Sequence, residues 1–274
     1  MTAPNLAALQ TVARRVRGQV LDMSHKAGTA HLASSLSCVD ILVACYWTAL
    51  RIDPKKPDDR DRDRLVFSKG HAAMALYATL AERGFFAPAL LDQYCVDGGR
   101  LAEQPSPGCA PGVEVATGSL GHGLSWAVGL SLAARLRRSD SRVIAIVSDG
   151  ECQEGSTWEA ALMAPAHKLS AITVVVDYNK WQATGRSNQI MALEPLARKW
   201  ESFGWNAREV DGHDLGALAS ALAERADPEG RPRAIVAHTI KGKGVSFMED
   251  DNNWHYRSPN AQELSAARRE LGLP

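Results

Sequence analysis

The residues best placed to do chemistry are a carboxylate and an amide thirty positions apart. Asp149 stands in Ser148-Asp149-Gly150-Glu151-Cys152-Gln153-Glu154-Gly155, and Asn179 in Asp177-Tyr178-Asn179-Lys180. Each closes a short, β-branched, almost wholly apolar run: Val143–Val147 before the first, Ile172–Val176 before the second. Such runs read as strands covered on both faces. Ligands of open α/β sheets sit beyond the carboxyl ends of their strands. Two hard oxygen ligands at neighbouring strand ends suit Mg²⁺, which takes near-octahedral oxygen coordination completed by phosphates and water. Gly150 lets backbone approach a phosphate, and the helix that follows turns its positive end towards that anion. Alone, either residue reads as a helix cap or a loop turn. Together, with Gly150 and Gly155 between them, they point to a metal-bridged diphosphate.

The elements that must position this pair are legible around it. Ala234–Ala237 is a third apolar run, and helical stretches lie between the runs, so the chain reads as α/β, with a doubly wound, mostly parallel sheet flanked by helices. Leu6, Leu9, Ala13, Val16, Val20 and Met23 recur at helical steps and predict a long first helix that Gly28 stops. A second helix is expected over Val39–Ala49, and Asp53–Arg64 reads as a solvated loop. Ser156 with Glu159, and Asn260 with Glu263, form capping boxes; Pro165 should end one helix and Leu271-Gly272 the last. The stretch Phe85–Val115 is rich in Gly and Pro and should be irregular.

Composition narrows the partners. Lys+Arg and Asp+Glu both number 31 in 274 residues, so nothing favours a polyanion such as nucleic acid. Cys38, Cys45, Cys95, Cys109 and Cys152 are an odd set without C-x-x-C spacing, which argues against a disulfide framework or zinc site and for a reducing cytoplasm. Met1–Gln10 lacks a signal-peptide apolar block, and no run approaches membrane-spanning length.

The arrangement around Asp149 and Asn179 resembles the thiamine-diphosphate signature, and the flanking motifs resemble the transketolase family. These are His25-Lys26-Ala27-Gly28-Thr29-Ala30-His31, Leu65-Val66-Phe67-Ser68-Lys69-Gly70-His71-Ala72, Gly112–Gly123, Glu154–Ala160, Lys241-Gly242-Lys243-Gly244-Val245 and Trp254-His255. They run in order over nearly the whole chain, and no single one would suffice. The resemblance implies a thiamine-diphosphate-binding fold over residues 1–274, in its diphosphate-binding domain. Asp149, Asn179 and the Trp181 carbonyl would hold Mg²⁺, or another divalent cation such as Ca²⁺ or Mn²⁺. Gly150 and His255 would contact the diphosphate, with His71 also at the cofactor. Gly118, Ser119 and Leu120 would lie against it through backbone, and Ile240 beside the thiazolium. His31 would face the donor's hydroxyls. Glu154 resembles the glutamate at the subunit contact.

Longer family chains carry a second domain that binds the aminopyrimidine. Nothing after Asn179 resembles it, so the resemblance implies a partner chain, in an α2β2 assembly. Three departures stand out. Ser148 replaces the first glycine of Gly-Asp-Gly, and Ala30–Ser35 resembles the corresponding segment of 1-deoxyxylulose-5-phosphate synthase. Glu103-Gln104-Pro105 stands where Gly-His-Pro is usual, so Gln104 replaces a donor-contacting histidine, unless the loop has shifted register and Gln104 is solvated. His25, His167, His213 and His238 read as structural; His122, Lys241 and Lys243 admit either reading. The expected activity is transfer of a two-carbon ketol unit from a ketose, its phosphate or a 2-oxo acid to an aldehyde. The alternatives are decarboxylating acyl transfer to an aldehyde or lipoyl acceptor, and a non-catalytic scaffold subunit.

Overall fold

In the computed structural model, which describes residues 5–224 and 227–274, the amphipathic stripe at the start forms α1 (Leu6–Ala27). Asn5 caps it by accepting from the Ala8 amide, and Gly28 ends it at φ 63°. Residues 1–4 of the amino-terminal stretch lie outside the described residues. Next come α2 (Leu32–Ser37) and α3 (Val39–Ala44), the latter continued by a single π turn at Cys45–Ala49. The predicted helix over Val39–Ala49 is therefore regular only to Ala44. There follow β1 (Arg64–Phe67), a 3-10 turn at Gly70–Ala72, α4 (Ala73–Arg83) and, after an irregular segment with one 3-10 stretch at Pro88–Gln93, α5 (Gly123–Leu136). The second half is β2 (Val143–Ser148), α6 (Gly155–Ala166), β3 (Ile172–Tyr178), α7 (Ser187–Ile190), α8 (Leu196–Ser202), β4 (Asn206–Asp211), α9 (Leu215–Ala223), β5 (Arg233–His238) and α10 (Ala261–Glu270).

Among the described residues the strands form one parallel sheet in the order β1-β2-β3-β5-β4. Alternate side chains feed two cores. Ile144, Ile146, Val175, Ile235 and Ala237 pack with α1, α3, α4 and α9 on one face. Ala145, Val147, Val174, Val176 and Val236 pack with α5, α6 and Trp200 of α8 on the other. Because both faces are covered, the central strands read as unbroken apolar runs. β4 escaped notice in the sequence because it is a half-exposed edge strand carrying Asn206, Arg208 and Asp211.

Three local readings need correction. The charged run over Asp53–Arg64 is not all solvated: Arg62 and Asp63 are buried, and Asp63 accepts from the backbone amides of Arg51 (2.9 Å) and Arg142 (2.8 Å) and pairs with both guanidinium groups. Its last residue, Arg64, opens β1. The Ser156–Glu159 capping box does not form, because α6 already starts at Gly155 and Ser156 donates to the Gly121 carbonyl instead (3.0 Å). The Asn260–Glu263 box does form. Pro165 lies one residue from the end of α6, and Gly272 (φ 66°) follows the cap of α10. α10 returns to α1, with Arg268 on Asp22 (2.6 Å). All five cysteines are free, and no described helix is long and apolar enough to cross a membrane.

Candidate active site

Ser148 and Asp177 are partners in the β2–β3 ladder, which sets Asp149 and Asn179 side by side just beyond the strand ends. A cleft of about 290 Å³ opens there, and its lining includes His31, His71, Gln104, Gly118, Leu120, Asp149, Gly150, Asn179, Trp181 and His255. Every one of these was singled out in the sequence, and they arrive from seven separate stretches of the chain. Three others do not line it. Ser119 is exposed, Glu154 is exposed at the head of α6, and Ile240 is partly buried in the loop after β5. The Ile240 amide donates to His213 Nε2 (2.8 Å).

At one end of the cleft the Asp149 carboxylate is buried and met only by neutral donors. Oδ2 accepts from the Lys180 amide (2.9 Å) and Ser187 Oγ (2.7 Å), and Oδ1 from its neighbour, the Gly150 amide (3.1 Å). Burial pushes this acid up to about 7. Among the described residues no cationic side chain hydrogen-bonds to it, so a divalent cation would supply the charge the position lacks. Asn179 Oδ1 accepts from the Trp181 amide (3.0 Å), which folds the loop so that the Trp181 carbonyl is left without a hydrogen bond among the described residues. A carboxylate, an amide oxygen and a carbonyl fit a hard cation completed by phosphate and water.

The other end is histidine-rich. His31 sits at φ 68°, a conformation costly for a non-glycine residue, with its amide on the His255 carbonyl (2.7 Å). Its ring stands 5.3 Å from that of His71 and 5.1 Å from that of His255. Lys241 Nζ donates to His255 Nδ1 (2.7 Å) and to Asn252 (2.7 Å), which leaves the His255 proton on Nε2. Burial, then Lys241, holds His255 down to about 3. Burial also lowers His71 far and His31 less, the latter opposed by Glu103. All three imidazoles favour the neutral form, and Lys241, lowered to about 8 by burial and Lys69, supplies the local positive charge.

Residues 8–274 match the family model described as transketolase, thiamine diphosphate binding domain. The chain belongs to the transketolase family. It is 35% identical over 263 residues to an apulose-4-phosphate transketolase subunit of Phocaeicola vulgatus, covering 96% of this chain and 93% of that one. It is 39% identical to a 6-deoxy-6-sulfo-D-fructose transketolase subunit of a Clostridium species, over 96% of each. Among solved structures, transketolase of Campylobacter jejuni superposes with a TM-score of 0.91 at 29% identity, over 98% of this chain and 43% of that one. The chain thus spans about two-fifths of such a transketolase.

Within this transketolase-family fold, sequence reasoning missed a buried polar frame beneath the cleft. The buried Glu151 accepts from Ser68 Oγ and from the amides of Gly121 (3.1 Å) and Ser148 (2.9 Å), tying the Gly118–Leu120 segment to the β2 end. Lys69 and Asp177 form a fully buried ion pair; Asp177 also accepts from Thr239 and from Ser37 (2.7 Å), and Ser37 holds the Asn179 amide (3.3 Å). The one available signal was the presence of ionisable residues inside strand-end motifs otherwise built for burial. Gln104 lines the cleft while remaining exposed to solvent, and it packs so closely on Gly118 (φ 146°) that a Cβ there would collide with its side-chain amide. His25, His213 and His238 are occupied by Pro259, by Asp40 with Ile240, and by Glu209. Lys241 belongs to the site, whereas Lys243 pairs with Glu249 (3.4 Å).

Proposed function

We propose that this chain is the diphosphate- and metal-binding half of a two-chain transketolase that moves a two-carbon ketol unit from a ketose or 2-oxo acid to an aldehyde. The observation that carries the reading is the cleft itself. A cation-ready carboxylate and amide stand at adjacent strand ends, opposite three neutral histidines. Asp149, Asn179 and the Trp181 carbonyl would hold Mg²⁺, or Ca²⁺ or Mn²⁺ in its place. Gly150 and His255 would meet the diphosphate, with Lys241 adding charge behind His255. Gly118–Leu120 and Ile240 would bracket the ring. When bound, thiamine diphosphate supplies the electron sink that lets a carbon–carbon bond beside a carbonyl break. His31, His71 and Gln104 would orient the donor and handle its hydroxyl protons.

Residues 1–274 would form one domain, and the aminopyrimidine would be held by a second chain in an α2β2 assembly in the cytoplasm. Supporting this, the two subunit relatives are matched over 93% and 96% of their length, whereas the longer transketolase is matched over 43%. Glu154, which is exposed, would meet that second chain. Those relatives are named for unusual sugars, and Gln104 in place of histidine favours such a donor over common ketose phosphates. The acyl-transfer and scaffold readings gain no observation of their own. Purified chain with Mg²⁺ and thiamine diphosphate, assayed with and without a pyrimidine-domain partner, should turn over only in its presence. Robust turnover by the chain alone would refute the two-chain reading.

A further inference from the structure

His31 Nδ1 is buried and makes no hydrogen bond among the described residues, although Glu103 Oε1 lies only 3.3 Å away. The distance suits a hydrogen bond and the alignment does not. Such a buried polar orphan calls for a partner. The histidine cannot supply the adjustment through its backbone: its amide is on the His255 carbonyl, and its own carbonyl accepts from Ser35 twice (3.0 and 3.1 Å). Glu103 can. Its side chain is 44% exposed, it lies in the irregular segment before α5, and it holds no other partner among the described residues. A few tenths of an ångström and a small rotation close the contact.

We infer that Glu103 is a positioning residue for His31, accepting the Nδ1 proton and thereby leaving Nε2 as the nitrogen that exchanges a proton with a donor hydroxyl. The inference rests on the ketol-transfer reading above. The residue usual at this place in the family motif is a glycine, which offers no carboxylate. The proton of the donor's hydroxyl would move to Nε2 as that carbon–oxygen bond becomes a carbonyl and the adjacent carbon–carbon bond breaks; thiamine diphosphate, when bound, would supply the sink for that bond's electron pair. The same proton returns to the oxygen of the acceptor aldehyde when the new bond forms. A carboxylate on the far nitrogen fixes the tautomer and raises basicity. That matters here because every other charged neighbour works against protonation: Lys69 beside the Gly70–Ala72 turn and Lys241 after β5. His71, His255 and Tyr256 complete the surround as ring edges.

The test uses the full chain labelled with ¹⁵N-histidine, with His31 assigned by loss of its signals in His31→Asn. Long-range ¹H–¹⁵N spectra should show His31 protonated on Nδ1, and its titration midpoint should fall by about one unit in Glu103→Gln, the usual effect of losing an adjacent opposite charge. In the complex reconstituted with a partner chain, the acid limb of kcat/KM should move down by a similar amount. Glu103→Asp should recover part of the shift. A merely structural glutamate would leave tautomer and limb unmoved. Equal midpoints with normal ketol transfer overturn the inference and leave the functional reading standing. A shifted midpoint with no ketol transfer overturns the functional reading, and the proton-exchange role with it.

Discussion

Removing the carboxylate of Asp177 should cost far more stability than its distance from any substrate suggests. Asp177 and Lys69 have side chains without any solvent exposure, and among the described residues the Lys69 ammonium otherwise donates only to the Ser34 carbonyl (2.9 Å) and Ser37 Oγ (3.4 Å). In Asp177→Asn the ammonium stays buried with two neutral acceptors and no counter-charge. Breaking a buried pair in this way costs about 3–5 kcal/mol. Unfolding entropy of roughly 2.1 cal/mol/K per residue, over a chain of this length, converts that to a fall in Tm of about 5–9 °C. Lys69→Met should fall by a similar amount. The double variant Lys69→Met/Asp177→Asn should lose clearly less than the two singles added, because neither charge is then stranded. Differential scanning calorimetry of the four proteins decides it. A fall below about 2 °C for Asp177→Asn, or an additive double variant, would mean that the pair does not hold the frame.

Burial holds the Lys241 amine at about 8, below its usual 10.5. Below about pH 8 both states carry the proton; between about 8 and 10.5 only the unfolded chain does, so stability should rise with pH across that window, by up to about 3 kcal/mol. Urea unfolding at intervals through this range should show the rise in wild type and not in Lys241→Met; parallel curves would disprove the assignment. Asp149→Ala should weaken Mg²⁺-dependent thiamine diphosphate binding by at least about 100-fold, since even residues behind a metal ligand cost 10–100-fold; calorimetry showing unchanged affinity would place the site elsewhere. Gln104→His should raise the specificity constant for xylulose 5-phosphate by about two- to tenfold, the worth of one donor hydrogen bond. An unchanged ranking of xylulose 5-phosphate, hydroxypyruvate and pyruvate would show that the glutamine does not select.

Much of the site was legible because its candidate ligands sit at the ends of strands that had to be apolar. Val143–Val147 and Ile172–Val176 announce themselves by composition, and the candidate ligands Asp149 and Asn179 follow within three residues of their ends. β4 was not legible, since an edge strand with polar side chains lacks that signature. Nor were Glu151 and Lys69, whose roles depend on contacts between segments far apart in the chain: Ser68 with Glu151, and Lys69 with Asp177. Local pattern carries no record of such pairings. The Ser156 capping box failed for a related reason, because the Gly121 carbonyl, a tertiary neighbour, claimed the hydroxyl that the local rule assigned to the helix.

The amide of His31 rests on the carbonyl of His255, and α1 is clasped by α10. On a ribosome, the first of these residues emerges some 224 residues before the second, many seconds earlier at about 5–20 residues per second. The left-handed turn at His31 therefore has only the local grip of Ser35 on its carbonyl until His255 has been made. Closing so long a loop is entropically slow and comes late. The sheet can collapse first, with its apolar strands hidden, while the cleft histidines remain apart. A nascent chain that stalls or is clipped before His255 would be compact, yet would have no complete pocket to offer a cofactor.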